Sequence, residues 1–151
     1  MKRPPISSGS SSRKASKSRP LQSPLTTHFN DTWGFNLHVV VGGTSKRACR
    51  LFSKKTGAQF EQDAYLLGFH ASTDRRGHLE SMVYVALREQ PWKEQMVDIA
   101  DIISHEALHC AVAQLSRRGL TLTKESEEAY AYLTGWIGMK IMQTIMDLEG
   151  K

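Results

Sequence analysis

The period of the apolar positions changes several times along the chain, and each change marks an element. Residues 35–41, FNLHVVV, form an apolar run that ends at Gly42-Gly43 and reads as a strand. Thr44 is placed to cap a helix over residues 45–56, with Ala48, Leu51 and Phe52 on one face, Lys and Arg on the other, and Gly57 as the stop. Residues 64–71 and 78–87 read as two strands, and the connector STDRRG has turn composition, so a hairpin is expected. In the second of these strands both alternating sets are fairly apolar, so the alternation is weak. Pro91 then opens a long helical pattern. Met96, Ile99, Ala100, Ile103, Ala107, Ala111 and Leu115 follow the 3.6-residue spacing, Arg117 and Arg118 suit the last turn, and Gly119 ends it. A final helix is expected over residues 124–148, with Thr123 as its cap and Glu125 and Glu127 in its first turn. Gly135 and Gly138 lie inside it, each costing about 1 kcal/mol against alanine, so close packing against a neighbour is the expected return. The order is β, α, ββ, α, α. It predicts an α+β domain, a small antiparallel or mixed sheet packed on two long helices.

Composition narrows this to one domain preceded by a tail. The 151 residues carry a net charge of +5. Residues 1–24 hold Lys2, Arg3, Arg13, Lys14, Lys17 and Arg19 and no acid, so residues 25–151 sum to +5 − 6 = −1. The tail is rich in Ser, Pro, Lys and Arg. It lacks the apolar content to offset its ordering entropy, so residues 1–24 are expected to be a disordered basic tail and residues 25–151 the domain. Such a tail gives at most weak, non-specific and salt-sensitive contact with nucleic acid, because no aromatics are interleaved for base stacking. It also lacks the apolar run of a secretory signal. With Cys49 and Cys110 as its two cysteines, the chain is expected to be cytoplasmic, with reduced thiols. Residues 129–146 are fairly apolar but contain Lys140 and Gln143, and read as a helix of the core rather than a membrane span.

The stretch ISHEALHCAV (residues 103–112) places three polar residues in an apolar helical pattern. His105 and His109 are separated by about 40° of rotation and about 6 Å of rise, so two imidazoles can converge on one cation. Zinc suits them, and a catalytic zinc keeps three protein ligands plus a water. Glu106 points about 100° away from His105. It is placed to hold that water and take its proton as a general base, so that the water attacks a carbonyl. No histidine follows His109. The downstream carboxylates are Glu125, Glu127, Glu128, Asp147 and Glu149, of which the first three open the last helix. If that helix folds back antiparallel, its first turn meets the half of the long helix where His109 points.

His109 and Glu128 have 18 residues between them, so the chain reads HExxH-x18-E. This resembles the gluzincin zinc metallopeptidases, in a minimal single-domain form. The SEEAYAYLTG stretch after the HExxH helix is also similar to small phage- and bacterium-encoded metallopeptidases, which points to a bacterial or phage-infected cell. The resemblance covers about residues 33–148 as architecture, and its specific content is five residues. It implies a zincin-like fold and zinc held by His105, His109 and Glu128. It further implies Glu106 as the base and a peptide or protein substrate. Glu127 adjoins Glu128 and is the alternative ligand. Gluzincins often carry an acid four positions after the ligand glutamate; here that position is Tyr132.

A donor to the developing oxyanion is also required. Tyr132 shares the Glu128 face and is the candidate, with Tyr130 nearer the Glu127 face; two tyrosines in an apolar helix also suit a core. His78 opens a strand that would border the cleft in such folds, where an exposed edge could pair with an extended peptide. Cys110 reads as core packing, and His28, His38 and His70 read as structural or exposed. The reading from another class is a protein with a structural or degenerate zinc site that acts by binding or inhibiting a partner.

Overall fold

The computed structural model describes residues 25–30, 34–61, 66–75, 77–88 and 92–149. The basic tail lies outside the described residues. Four strands form one mixed sheet in the order β1-β2-β4-β3: β1 Leu25–Asn30, β2 Phe35–Val41, β3 Gly68–Arg75 and β4 His78–Val85. β1 runs antiparallel to β2, β2 parallel to β4, and β3 antiparallel to β4. The parallel pair requires a crossover, and helix α1, Ser45–Thr56, lies in it. Two long helices follow, α2 Met96–Arg117 and α3 Glu127–Glu149. The architecture is therefore α+β with a small mixed sheet, as the pattern predicts.

The sheet is covered on both faces, which explains the weak alternation in β4. Phe35, Leu37, Val39 and Val41 of β2 and Leu79, Val83 and Val85 of β4 pack with α2 and α3. Val40, Met82 and Tyr84 point the other way, onto Ala48, Cys49 and Phe52 of α1. On α2 the buried apolar set is Ile99, Ile103, Ala107, Cys110, Ala111 and Leu115; on α3 it is Tyr130, Leu133, Ile137, Ile141 and Ile145. Cys110 is a core residue, as expected. Met96, Ala100 and Leu51, read as core-facing, are exposed at the edges of their stripes. A polar clamp crosses the larger core, where Gln114 of α2 donates to the Ser81 hydroxyl of β4 with both side chains fully buried.

The bounds of α1 follow from its ends. Thr44 accepts from Arg47 N, and Gly57 adopts φ 77°, donating its N–H to Ser53 O. Three expectations need correction. β1 carries no periodic signal, since Thr26, Thr27 and His28 dilute it, yet it pairs along the whole of β2. β3 begins and ends four residues later than expected at each end; Ser72–Arg75, read as turn, pair with His78–Ser81, because ladder hydrogen bonds are made by backbone whatever the side chains. α3 begins at Glu127, not residue 124, because the Ser126 hydroxyl accepts from Thr123 N and donates to Thr121 O, closing a separate turn. Of the two α3 glycines, Gly138 abuts Ile103, where a Cβ would sit 3.5 Å from Cγ2, whereas Gly135 faces open space.

Candidate metal centre

α2 carries HExxH on the side facing β3. The Nε2 atoms of His105 and His109 are 3.1 Å apart and the rings meet edge to face at 4.6 Å. Two imidazoles on one tetrahedral zinc, each at about 2.0–2.1 Å, would have their nitrogens about 3.3 Å apart. The pair is therefore close to the spacing of two zinc ligands, and both rings are exposed. Glu106 is buried between α2 and β3, at 9% exposure. Burial holds its carboxyl above the usual carboxylate value, while His105 and His109 pull it down.

β3 approaches α2 closely because it starts with glycine. A Cβ on Gly68 would lie 2.4 Å from Ile102 Cγ2 and 3.1 Å from Glu106 Cγ. Phe69 and Ala71 belong to the core on the α1 side, so strand alternation directs Gly68 and His70 toward α2. The result is a cleft of about 510 Å³ lined by Gly68, Phe69, His70, His105, Glu106, His109, Val112 and Ala113. His70, read as structural or exposed, is thus part of the candidate site. Burial, then the nearby His109 and Arg117, push its imidazole down to about 4. Nothing in the strand composition marks it, because its partners come from a distant helix.

The other expected site residues are placed as follows. Glu127 and Glu128 lie exposed in the first turn of α3. Two contacts show α3 running back along α2: Gly138 meets Ile103, and the Tyr130 hydroxyl donates to Leu120 O at 2.7 Å. From Gly138 back to Glu128 is about 15 Å of helix, and from Ile103 on to His109 about 9 Å, so Glu128 sits roughly one turn past His109. Among the described residues no three His, Cys, Asp or Glu side chains form a group that could hold a metal. The donors thus fit zinc for two ligands, with the third not in contact. Tyr132 is 73% exposed on α3, while Tyr130 is a core residue. His78 shares a separate hollow of about 370 Å³ with Asn36, Arg75 and Glu80.

A second polar cluster, on the α1 side of the sheet, also goes unmarked in the sequence. His28 and His38 are directly paired across β1 and β2. Lys55 Nζ is 2.9 Å from His28 Nε2, and His28 Nδ1 is 2.5 Å from His38 Nδ1. His38 Nε2 in turn contacts Glu80, whose other oxygen accepts from Asn36 at 2.9 Å. Donors and acceptors alternate in one consistent way, with Lys55 donating to His28, His28 to His38, and His38 to Glu80.

No family model, curated protein or solved structure matches the chain. No helix among the described residues is long and apolar enough to cross a membrane.

Proposed function

We propose that this chain is a zinc-dependent hydrolase of peptide bonds, with His105 and His109 holding the ion and Glu106 as general base. The observation that carries the reading is the 3.1 Å approach of the two Nε2 atoms beside a buried carboxylate in one cleft. Zinc bound there would polarise a substrate carbonyl and lower the pKa of water toward about 7. Glu106 is suited to receive a proton, since burial raises its affinity for one. Gly68 leaves the room that this side chain takes, since a Cβ there would lie 3.1 Å from its Cγ and 3.3 Å from its Oε1. The sheet with α2 and α3 on one face is read as a zincin-like arrangement, and Glu128 as the third ligand that the resemblance implies. Tyr132 is the oxyanion donor on the same basis. The substrate is a peptide or protein and the compartment the cytoplasm.

The decisive experiment pairs elemental analysis of the purified chain with peptide cleavage. One zinc per chain is expected, together with cleavage that a chelator removes. Glu106→Gln should retain the zinc and lose cleavage by about 100-fold or more, the scale of general-base catalysis. Cleavage surviving that change would sink the base assignment. A second reading is favoured by one observation, the lack, among the described residues, of a third side chain grouped with the histidine pair. It makes the domain a zinc-binding or inhibitory protein without catalysis, and it predicts zinc without cleavage in the unmodified chain.

A further inference from the structure

The cleft holds one polar group to which the hydrolase reading assigns no task. His70 lines it, yet its Nε2 is buried and has no hydrogen-bond partner. Buried polar atoms are nearly always paired, so an orphan beside a cleft calls for an explanation. We infer that His70 is a substrate-facing residue of the zinc centre, whose imidazole hydrogen-bonds the group that binds between β3 and the His105–His109 pair.

Strand geometry supports this. Gly68 abuts Ile102 and Glu106. Two residues further along β3 is about 7 Å. The same distance along α2 is between four and five residues. That places His70 level with the stretch from His109 to Ala113, in agreement with the residues that line the cleft. Val112 and Ala113 offer the ring no side-chain partner there. The zinc reading takes Glu128 as the third ligand, so His70 is assigned to what the ion binds rather than to the ion itself. The ring has to turn into the cleft to reach that group, and the turn also relieves the orphaned nitrogen. The tyrosines compete poorly: Tyr130 spends its hydroxyl on Leu120 O, and Tyr132 stands 73% exposed on α3.

This inference rests on the zinc reading, and one experiment separates the two. The full chain is loaded with cobalt(II), whose visible spectrum reports its ligands, and titrated with acetohydroxamate as the probe. His70→Phe keeps the ring volume without a hydrogen bond, His70→Leu is a second apolar variant should Phe not fold, and His70→Gln keeps a donor and an acceptor. The expected result is a loss of about tenfold in hydroxamate affinity for Phe or Leu, the scale of one hydrogen bond to a charged group. Gln should stay within about threefold of the unmodified chain, and metal affinity should be unchanged in all three. Hydroxamate binding that is equal in Phe and the unmodified chain overturns the inference and leaves the zinc reading standing. Equal losses in Gln and Phe overturn it in favour of ring shape, and weakened metal binding overturns it in favour of a ligand role. A loaded chain that takes no hydroxamate has no open position and overturns it too. An unmodified chain that binds neither cobalt nor zinc removes the zinc reading, and this inference with it.

Discussion

Glu127 and Glu128 differ by one position, and the helix converts that into about 100° of direction, so only one can turn toward His109. Glu128→Ala should lower zinc affinity on the order of 100-fold, at least the cost of disturbing the support of a ligand. Glu127→Ala should stay within about threefold, since exposed carboxylates contribute little at a distance. Competition with a chromophoric chelator measures both. The reverse order would move the ligand to Glu127, and two silent variants would leave the ion to the histidines and solvent. Gly68→Ala is the complementary change on β3. Its Cβ would lie 2.4 Å from Ile102 Cγ2, on a side chain stiff at its first torsion, and 3.1 Å from Glu106 Cγ. Overpacking of this kind costs about 1–3 kcal/mol, read as a lower urea midpoint, and here it also displaces Glu106, the proposed base, and should depress cleavage. At this scale the sequence announces what one helix brings together. His105, Glu106 and His109 are legible because their spacing is local. His70 and Gly68 are not, because which residues face α2 depends on strand parity and on a helix packed much later in the chain.

Between elements, the chain from Lys55 through His28 and His38 to Glu80 joins α1, β1, β2 and β4 on the side of the sheet away from the cleft. Burial is the main cause that holds His28 and His38 below their ordinary value; Lys55 adds to it for both and Glu80 opposes it. Burial would raise Glu80, but hydrogen bonds from His38 and Asn36 and the nearby charges hold it below 4.5. For the histidines the unfolded chain therefore takes up protons first as pH falls. Their contribution is fully present above about 6.5 and is lost as pH drops from there toward their folded values. Glu80 adds a loss that begins below 4.5, and His70, at about 4, works in the same direction as the other histidines. Urea unfolding should thus show a midpoint that is flat between pH about 7 and 8 and falls between pH about 6.5 and 4, offset in part by Glu106, whose raised value works in the opposite direction. His38→Leu should cost about 3 kcal/mol at pH 7.5 by removing the His38 hydrogen bond and leaving the buried Glu80 with that of Asn36 alone, and should flatten the pH dependence. Cross-strand pairing explains why this cluster is illegible from spacing: His28 and His38 oppose each other only through the register of β1 on β2. By contrast α1 is read to the residue, because Thr44 and Gly57 end it through bonds to neighbours in sequence. The start of α3 is misread because Ser126, not Thr123, organises the turn before it.

For the molecule as a whole, the two cores lie on opposite faces of one sheet, and neither contains a candidate zinc ligand. The larger joins α2 and α3 to the sheet through fully buried Leu133, Ile137, Ile141 and Ile145, and the smaller seats α1 through Ala48, Cys49 and Phe52. The candidate zinc ligands are instead exposed at the rim of the larger core. A metal that organises a fold, as in small zinc modules, is buried among the elements it joins, and its removal unfolds them. Here the ion would sit on a surface already built. Zinc at 100 times its dissociation constant should then stabilise the folded chain by about 2.7 kcal/mol, because the unfolded chain does not hold His105 and His109 at a common point. For a domain of this size that corresponds to a rise in melting temperature of roughly 10 °C. Chelation should reverse the rise and stop there, leaving far-ultraviolet circular dichroism and a cooperative melt intact. A chain that loses its helical signal on chelation would mean that zinc is structural, and the hydrolase reading would give way to the binding-protein one. Retained structure with lost cleavage would place the ion where an enzyme needs it, on a scaffold whose stability comes from its two apolar cores.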